Sequence, residues 1–231
     1  MLVDSFTPGS ALITVILIAL APFLAVMVTS FTKIVVVLSI VRTALGLQQT
    51  PPNVVLNGLA LILTIYVMYP TLQDMSEAAG FTEEAAATMP GDEPPGVAQI
   101  QDTQEIISTA DRVKEPLREF LISNTTRDDR AFLLATQKRI SGPERADELS
   151  DTDFVIVIPA FAVRELKLAF QIGFLIFLPF LIIDLLISNI LLALNMMMLS
   201  PVTISLPFKV LLFVLVDGWV KLSHGLVLSY V

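Results

Sequence analysis

Between Asp4 and Lys33 every residue is uncharged, and 11–28 is almost wholly aliphatic. At about 1.5 Å per residue this stretch is long enough to cross roughly 30 Å of hydrocarbon as a helix. The apolar pattern resumes at Lys33 (KIVVVLSIVRTAL) and stops at Gly46, the residue favoured just past a helix C-terminus, before the pair Pro51 and Pro52. Asn53 is placed to cap a returning apolar helix over 54–72, so the first block predicts a hairpin with a tight corner. A second apolar block follows Asp153: FVIVIPAFAV, then RELK, then 168–199 interrupted only by Asp184. A straight helix over that last run would measure about 48 Å, beyond the hydrocarbon thickness. It is therefore expected to tilt strongly, to bend, as at Pro179, or to fold into a hairpin near Asp184 or Asn189. The segment 208–231 is helical in pattern but carries Lys209, Asp217, Lys221 and His224, an unusual load for a lipid-facing helix.

The segment between the blocks has a different character. The stretch GFTEEAAATMPGDEPPGVA holds few bulky side chains and reads as a flexible linker. Beyond it Ile106, Ala110, Val113, Leu117, Phe120 and Leu121 recur at helical spacing, with Pro116 expected to bend that helix or start another. Thr126, with Asp129 three residues on, predicts an N-cap for a short helix carrying Phe132, Leu133 and Ala135. The chain thus divides into an apolar helical hairpin (1–72), an acidic, mostly helical insert (73–153) and a C-terminal apolar block (154–231): an all-α membrane protein.

Composition sharpens this division. Hydrophobic residues make up 55% of the 231 positions, too many for an ordinary soluble domain. The insert holds eighteen of the 22 acids and eight of the 14 bases, so it carries the chain's acidic balance alone. With no cysteine and one histidine the chain lacks the parts for a disulfide, a thiolate metal site, a cysteine nucleophile or a histidine cluster. A net charge of −8 argues against nucleic-acid binding. No G-x-x-x-x-G-K-[ST] loop occurs, and we expect no enzyme activity, no metal and no cofactor. Residues 1–9 carry Asp4 and no Lys or Arg, so the positive region of a secretory signal is missing and the first span reads as retained. Lys33 and Arg42 place the hairpin corner in the cytoplasm by the positive-inside rule, and hence the insert outside.

Charges inside the apolar blocks carry the most information, because each costs roughly 2.5–3.5 kcal/mol at mid-bilayer on insertion scales unless paired or wetted. Lys33, Lys209 and Lys221 stand against Glu165, Asp184 and Asp217, and the expected pairs are Lys33 with Asp184 and Glu165 with Lys209, within or between subunits. Snorkelling at helix ends is the other account of Lys221 and Glu165. The second informative feature is Met196-Met197-Met198, lying between an apolar helix and Pro201. Methionine is long, unbranched and polarizable, and three consecutive positions fan out by about 100° each. The run suits a loop that seals a space yet yields to a passing object of variable shape, or else fills a gap in a core.

Several motifs together resemble one family. They are Ser30-Phe31-Thr32-Lys33-Ile34-Val35, Gly46-Leu47-Gln48-Gln49-Thr50-Pro51-Pro52-Asn53, Glu165-Leu166-Lys167 with Ala169-Phe170-Gln171-Ile172-Gly173, the run from Asn195 to Pro201, Leu206-Pro207-Phe208-Lys209 and Val216-Asp217-Gly218-Trp219. They look like the FliP/SctR family of bacterial type III secretion export apparatus. The matches run through both apolar blocks; the insert and the first dozen residues match weakly. Segments 188–194 and 224–230 look more like the injectisome (SctR) branch than the flagellar one.

The resemblance implies a subunit of a conical helical oligomer: a homopentamer joined by FliQ/SctS-like and FliR/SctT-like subunits and an FlhB/SctU-like switch protein. It would sit, multi-pass, in the inner membrane within the secretion-system basal body. Its centre would conduct exported, unfolded proteins, with Met196, Met197 and Met198 as the pore gate. One departure is Asn195, where many relatives are expected to have glycine, which leaves the hinge behaviour of that loop open. Two other classes follow from the residues alone. A proton- or solute-coupled transporter would use Asp184, Asp217, Lys209 and His224 as a relay; an intramembrane enzyme would use Asp184 and Asp217 as a dyad.

Overall fold

A computed structural model describes residues 8–80, 103–142, 149–196 and 198–230. Asp4, the linker stretch after Gly80 and Met197 lie outside the described residues, as do the side chains of Ile106 and Ala110. The described residues are all-helical. In chain order the helices are α1 (Pro8–Met27), α2 (Phe31–Ala44), α3 (Asn53–Ala78), α4 (Thr103–Ser123), α5 (Arg127–Ser141), α6 (Phe154–Ala193), α7 (Pro201–Leu215) and α8 (Gly218–Leu228).

Helix α2 is the centre of the molecule. Ile34, Val37, Leu38 and Val41 recur every three or four residues and are fully buried, packed by Leu56 and Ala60 of α3, Ala169 and Phe180 of α6, Phe213 of α7 and Leu222 and Leu226 of α8. An apolar stripe at this spacing must face protein on one side. Between helices in lipid, close packing replaces the hydrophobic effect as the cohesive force, so small residues matter. Gly173 of α6 shows this: a Cβ added there would collide with the Ile40 side chain of α2, whose Cγ2 would lie 3.0 Å away. The α2–α6 seam is as tight as it is because position 173 lacks a side chain.

Among the described residues two helices are long and apolar enough to cross a membrane, α3 and α6, and two bent pairs qualify if each pair is one span. In the first pair, α2 leaves the second half of α1 at 72°; in the other, α8 leaves α7 at 61°. The expected break near Asp184 or Asn189 is not there: α6 runs unbroken through Pro159, Pro179, Asp184 and Asn189 for 40 residues, about 60 Å. Asp184 has polar partners supplied by α7, so its charge gives the helix no reason to break. The chain turns back only after Ala193, at the methionine run. Helix α4 contains Pro116, so no new helix begins there. The segment expected as one helical tail is two helices, α7 and α8, separated at Val216 and Asp217.

The insert helices rest on the apolar framework, α4 against α3 and α6 and α5 against α6. Leu121 of α4 is fully buried with Val157 and Phe161 of α6, and the Phe120 and Phe161 rings lie 5.7 Å apart. Thr126 caps α5 as its sequence context requires, accepting from the Asp129 amide. Asp129 in turn meets Arg164 of α6 at 3.3 Å, which ties the start of α5 to the apolar block.

Candidate functional site

The four residues expected to pair do lie in ion pairs, one buried and one partly buried, but with the partners exchanged. Lys33 of α2 is 3.4 Å from Glu165 of α6, each side chain 1% exposed. Lys209 of α7 is 2.6 Å from Asp184 of α6. The expected pairing of Lys33 with Asp184 and Glu165 with Lys209 is therefore corrected, and both pairs close within one chain. Counting signs cannot choose between two matchings of equal net charge; helix packing does. Burial also removes Lys33 from the positive-inside argument, leaving Arg42 as the basic side chain at the corner. Arg42 spends its guanidinium locally, donating from Nη1 to Asn53 Oδ1 at 2.6 Å and to the Pro51 carbonyl at 3.2 Å.

Tyr230, just past α8, completes the first pair. Its hydroxyl donates to Glu165 Oε2, and Lys33 Nζ stands 3.4 Å from its ring centroid, a cation–π contact. Its ring also stacks on Phe120 of α4, with centroids 6.2 Å apart. One aromatic side chain thus joins α2, α4 and α6. Nothing in the local pattern around residue 230 announces this role.

The second pair is a larger network. Ser205 Oγ donates to Asp184 Oδ1 at 2.5 Å, and Lys209, one turn further along α7, donates to Oδ2. Lys209 Nζ also donates to the Ala44 carbonyl at 3.2 Å. That bond completes the end of α2. Its last four carbonyls have no helical partner, and they are taken by Leu45 N (Val41), Leu47 N (Arg42), Gly46 N (Thr43) and the Lys209 ammonium (Ala44). A cation there also faces the negative end of the helix dipole. The Ser205/Lys209 spacing of four was readable in the sequence as one helix face; its target was not.

The methionine run occupies the turn between α6 and α7. Asn195 has φ +55°, the left-handed region, with Asn195 N bonded to the Leu192 carbonyl and Met196 N to the Leu191 carbonyl. This is the paired bonding of a Schellman motif, in which glycine is commonest and asparagine the usual substitute. The asparagine that departs from the expected glycine therefore adopts a glycine's backbone conformation. Met196 is exposed and Met198 completely so, projecting from the hairpin tip. Met197 is outside the described residues.

The structure gives no support to the transporter relay. Asp217, at φ +53°, is the left-handed residue of the α7–α8 turn, and its carbonyl accepts from Lys221 N. Asp217 and His224 both face outward, and among the described residues neither has a hydrogen bond or ion pair to Asp184 or Lys209.

Fold and site together define an all-α membrane protein whose buried charges are internal struts, with a sulfur-rich turn at the tip of its longest hairpin. The FliP family model matches residues 12–226, and the chain belongs to that family. It is 46% identical over 222 residues to Yop proteins translocation protein R of Yersinia pestis, covering 95% of this chain and 94% of that one. It is 41% identical over 222 residues to hypersensitivity response secretion protein HrcR of Ralstonia nicotianae, covering 96% and 97%. To flagellar biosynthetic protein FliP of Bacillus subtilis it is 41% identical over 213 residues, covering 92% and 87%. Relatives named for translocation, for secretion and for flagellar biosynthesis thus each cover 92% or more of the chain.

Proposed function

We propose that this protein is a subunit of the export gate of a type III secretion system, of the injectisome branch. Five copies form a ring in the bacterial inner membrane, within the basal body. FliQ/SctS-like and FliR/SctT-like subunits join the ring, and an FlhB/SctU-like switch protein stands beside it. Exported proteins pass unfolded through the axis, with energy supplied elsewhere in the machine and no catalysis by this chain. The observation that carries the reading is the methionine turn of a FliP-family chain, held open at a hairpin tip by the left-handed Asn195, with Met198 bare. Thioethers from several copies pack into a dry plug, exclude ions, and deform around a chain of any sequence. Lys33, Glu165 and Lys209 are satisfied inside the protomer, so the surface it leaves for contact with other subunits is mostly apolar.

The test is conductance. Replacing Met196, Met197 and Met198 together with alanine should raise small-ion leak through the assembled complex in planar bilayers, and unchanged conductance would remove the gate role. Native mass of the purified complex checks the stoichiometry: a lone monomer or dimer would contradict the ring.

A further inference from the structure

The apolar packing of the α6–α7 hairpin stops at a definite level. Below Asp184, Phe180 of α6 and Phe213 of α7 belong to the main core, their rings 6.3 Å apart. Above it no residue of 185–204 joins that core; Leu191 alone is buried there among the described residues, and Leu186, Ile190, Leu194 and Val202 are all exposed in the protomer. The Asp184–Ser205–Lys209 network sits at the boundary, with Ser205 and Lys209 buried and Asp184 a quarter exposed. Through the Ala44 carbonyl the same ammonium grips the end of α2. Gly46, with φ +79°, sets the corner beside α7, where a Cβ would be in ordinary contact with Val202 Cγ1 at 3.7 Å and Lys209 Nζ at 4.0 Å.

We propose that Asp184, Ser205 and Lys209 are positioning residues for the methionine turn: a polar lock that fastens the root of the α6–α7 hairpin to the C-terminus of α2, leaving the arms beyond it, 185–196 and 198–201, to move when the turn yields. The inference rests on the gate reading, since a lock is needed only if the tip must move while the root stays fixed. Two directional bonds on one carboxylate hold α7 to α6 in a single register, and a third, from the ammonium to the Ala44 carbonyl, holds α7 to α2, which apolar side chains at the same place would not do. Slippage of α7 along α6 would break both bonds to Asp184 together.

The lock is tested by Asp184→Leu/Lys209→Met, which removes both buried charges together and so leaves no unpaired ion to unfold the chain. The chain has no native cysteine, so spin labels can be placed at Met198→Cys and Thr43→Cys on one chain and diluted into unlabelled copies of the complex. With the lock intact the two labels should show one narrow distance; in the double variant the distribution should be at least about twofold wider, as for a hairpin freed at its root. Ser205→Ala should give an intermediate width. A distribution in the double variant as narrow as in the parent overturns the lock, whatever the leak. A wider distribution with raised ion leak supports lock and gate together. A wider distribution with parental conductance keeps the lock and counts against the pore reading beneath it.

Discussion

Lys33 stands 3.4 Å from Glu165 with both side chains almost completely buried, so one charged pair lies at the crossing of the central helix and the longest one. A buried pair contributes little net stability compared with a well-packed apolar pair, but removing one member strands the other, at a cost of about 3–5 kcal/mol. Lys33→Met alone and Glu165→Gln alone should each lower the yield and melting temperature of detergent-purified protein. Lys33→Met combined with Glu165→Met should recover much of the loss. A double variant no better than the worse single one would contradict the pairing.

Tyr230 separates hydrogen bonding from packing at the same crossing. Tyr230→Phe keeps the ring beside Lys33 and on Phe120 but deletes the bond to Glu165, which should cost about 1–3 kcal/mol. Tyr230→Ala removes the ring as well and should cost more. Equal melting temperatures for the two variants would mean the ring contributes nothing.

Asn195 is held left-handed by the turn it closes. Asn195→Gly should leave the fold and protein export essentially unchanged. Asn195→Val must place a branched side chain at positive φ, a strain of order 1–3 kcal/mol, and should accelerate protease cleavage in the turn between α6 and α7. Equal cleavage of the two variants would show that the turn is not confined to this conformation.

Asp129 fixes the insert to α6 and makes that junction pH-sensitive. The Thr126 hydroxyl, and behind it the Arg164 guanidinium, hold its carboxyl below the ordinary value of 3.8, against the opposing pull of partial burial. A depressed carboxylate contributes stability that is present above its unfolded value and lost as pH falls through the folded one. The protection of α5 amides, measured against the intrinsic exchange rate at each pH, should therefore fall below about pH 4 in the parent. In Asp129→Asn that protection should be lower already at neutral pH and flatter with pH. A pH response of the parent's size in that variant would place the titrating group elsewhere.

Much of the architecture was legible in local pattern. The α2–α3 hairpin, Gly46 at the end of α2, the Thr126 cap and the apolar run of α6 all follow from spacing and capping chemistry, which act within a few residues. The methionine run and the four paired charges were likewise visible as residues out of keeping with their surroundings. Tyr230 was not, because its three partners come from three different helices. Neither was the continuity of α6: Asp184 looks like a break in an isolated helix and ceases to be one once Ser205 and Lys209 reach it.

By itself the sequence determined an all-helical membrane chain, the inventory of charges that had to be neutralised and the position of the sulfur-rich turn, since these depend on composition and on periodicity along one helix. Only the tertiary structure decided which lysine meets which carboxylate. Two cations and two anions admit two neutral matchings of equal charge, and the choice falls to packing, here the close approach of α2 and α6 at Gly173 and the placement of Lys209 at the open carbonyl end of α2.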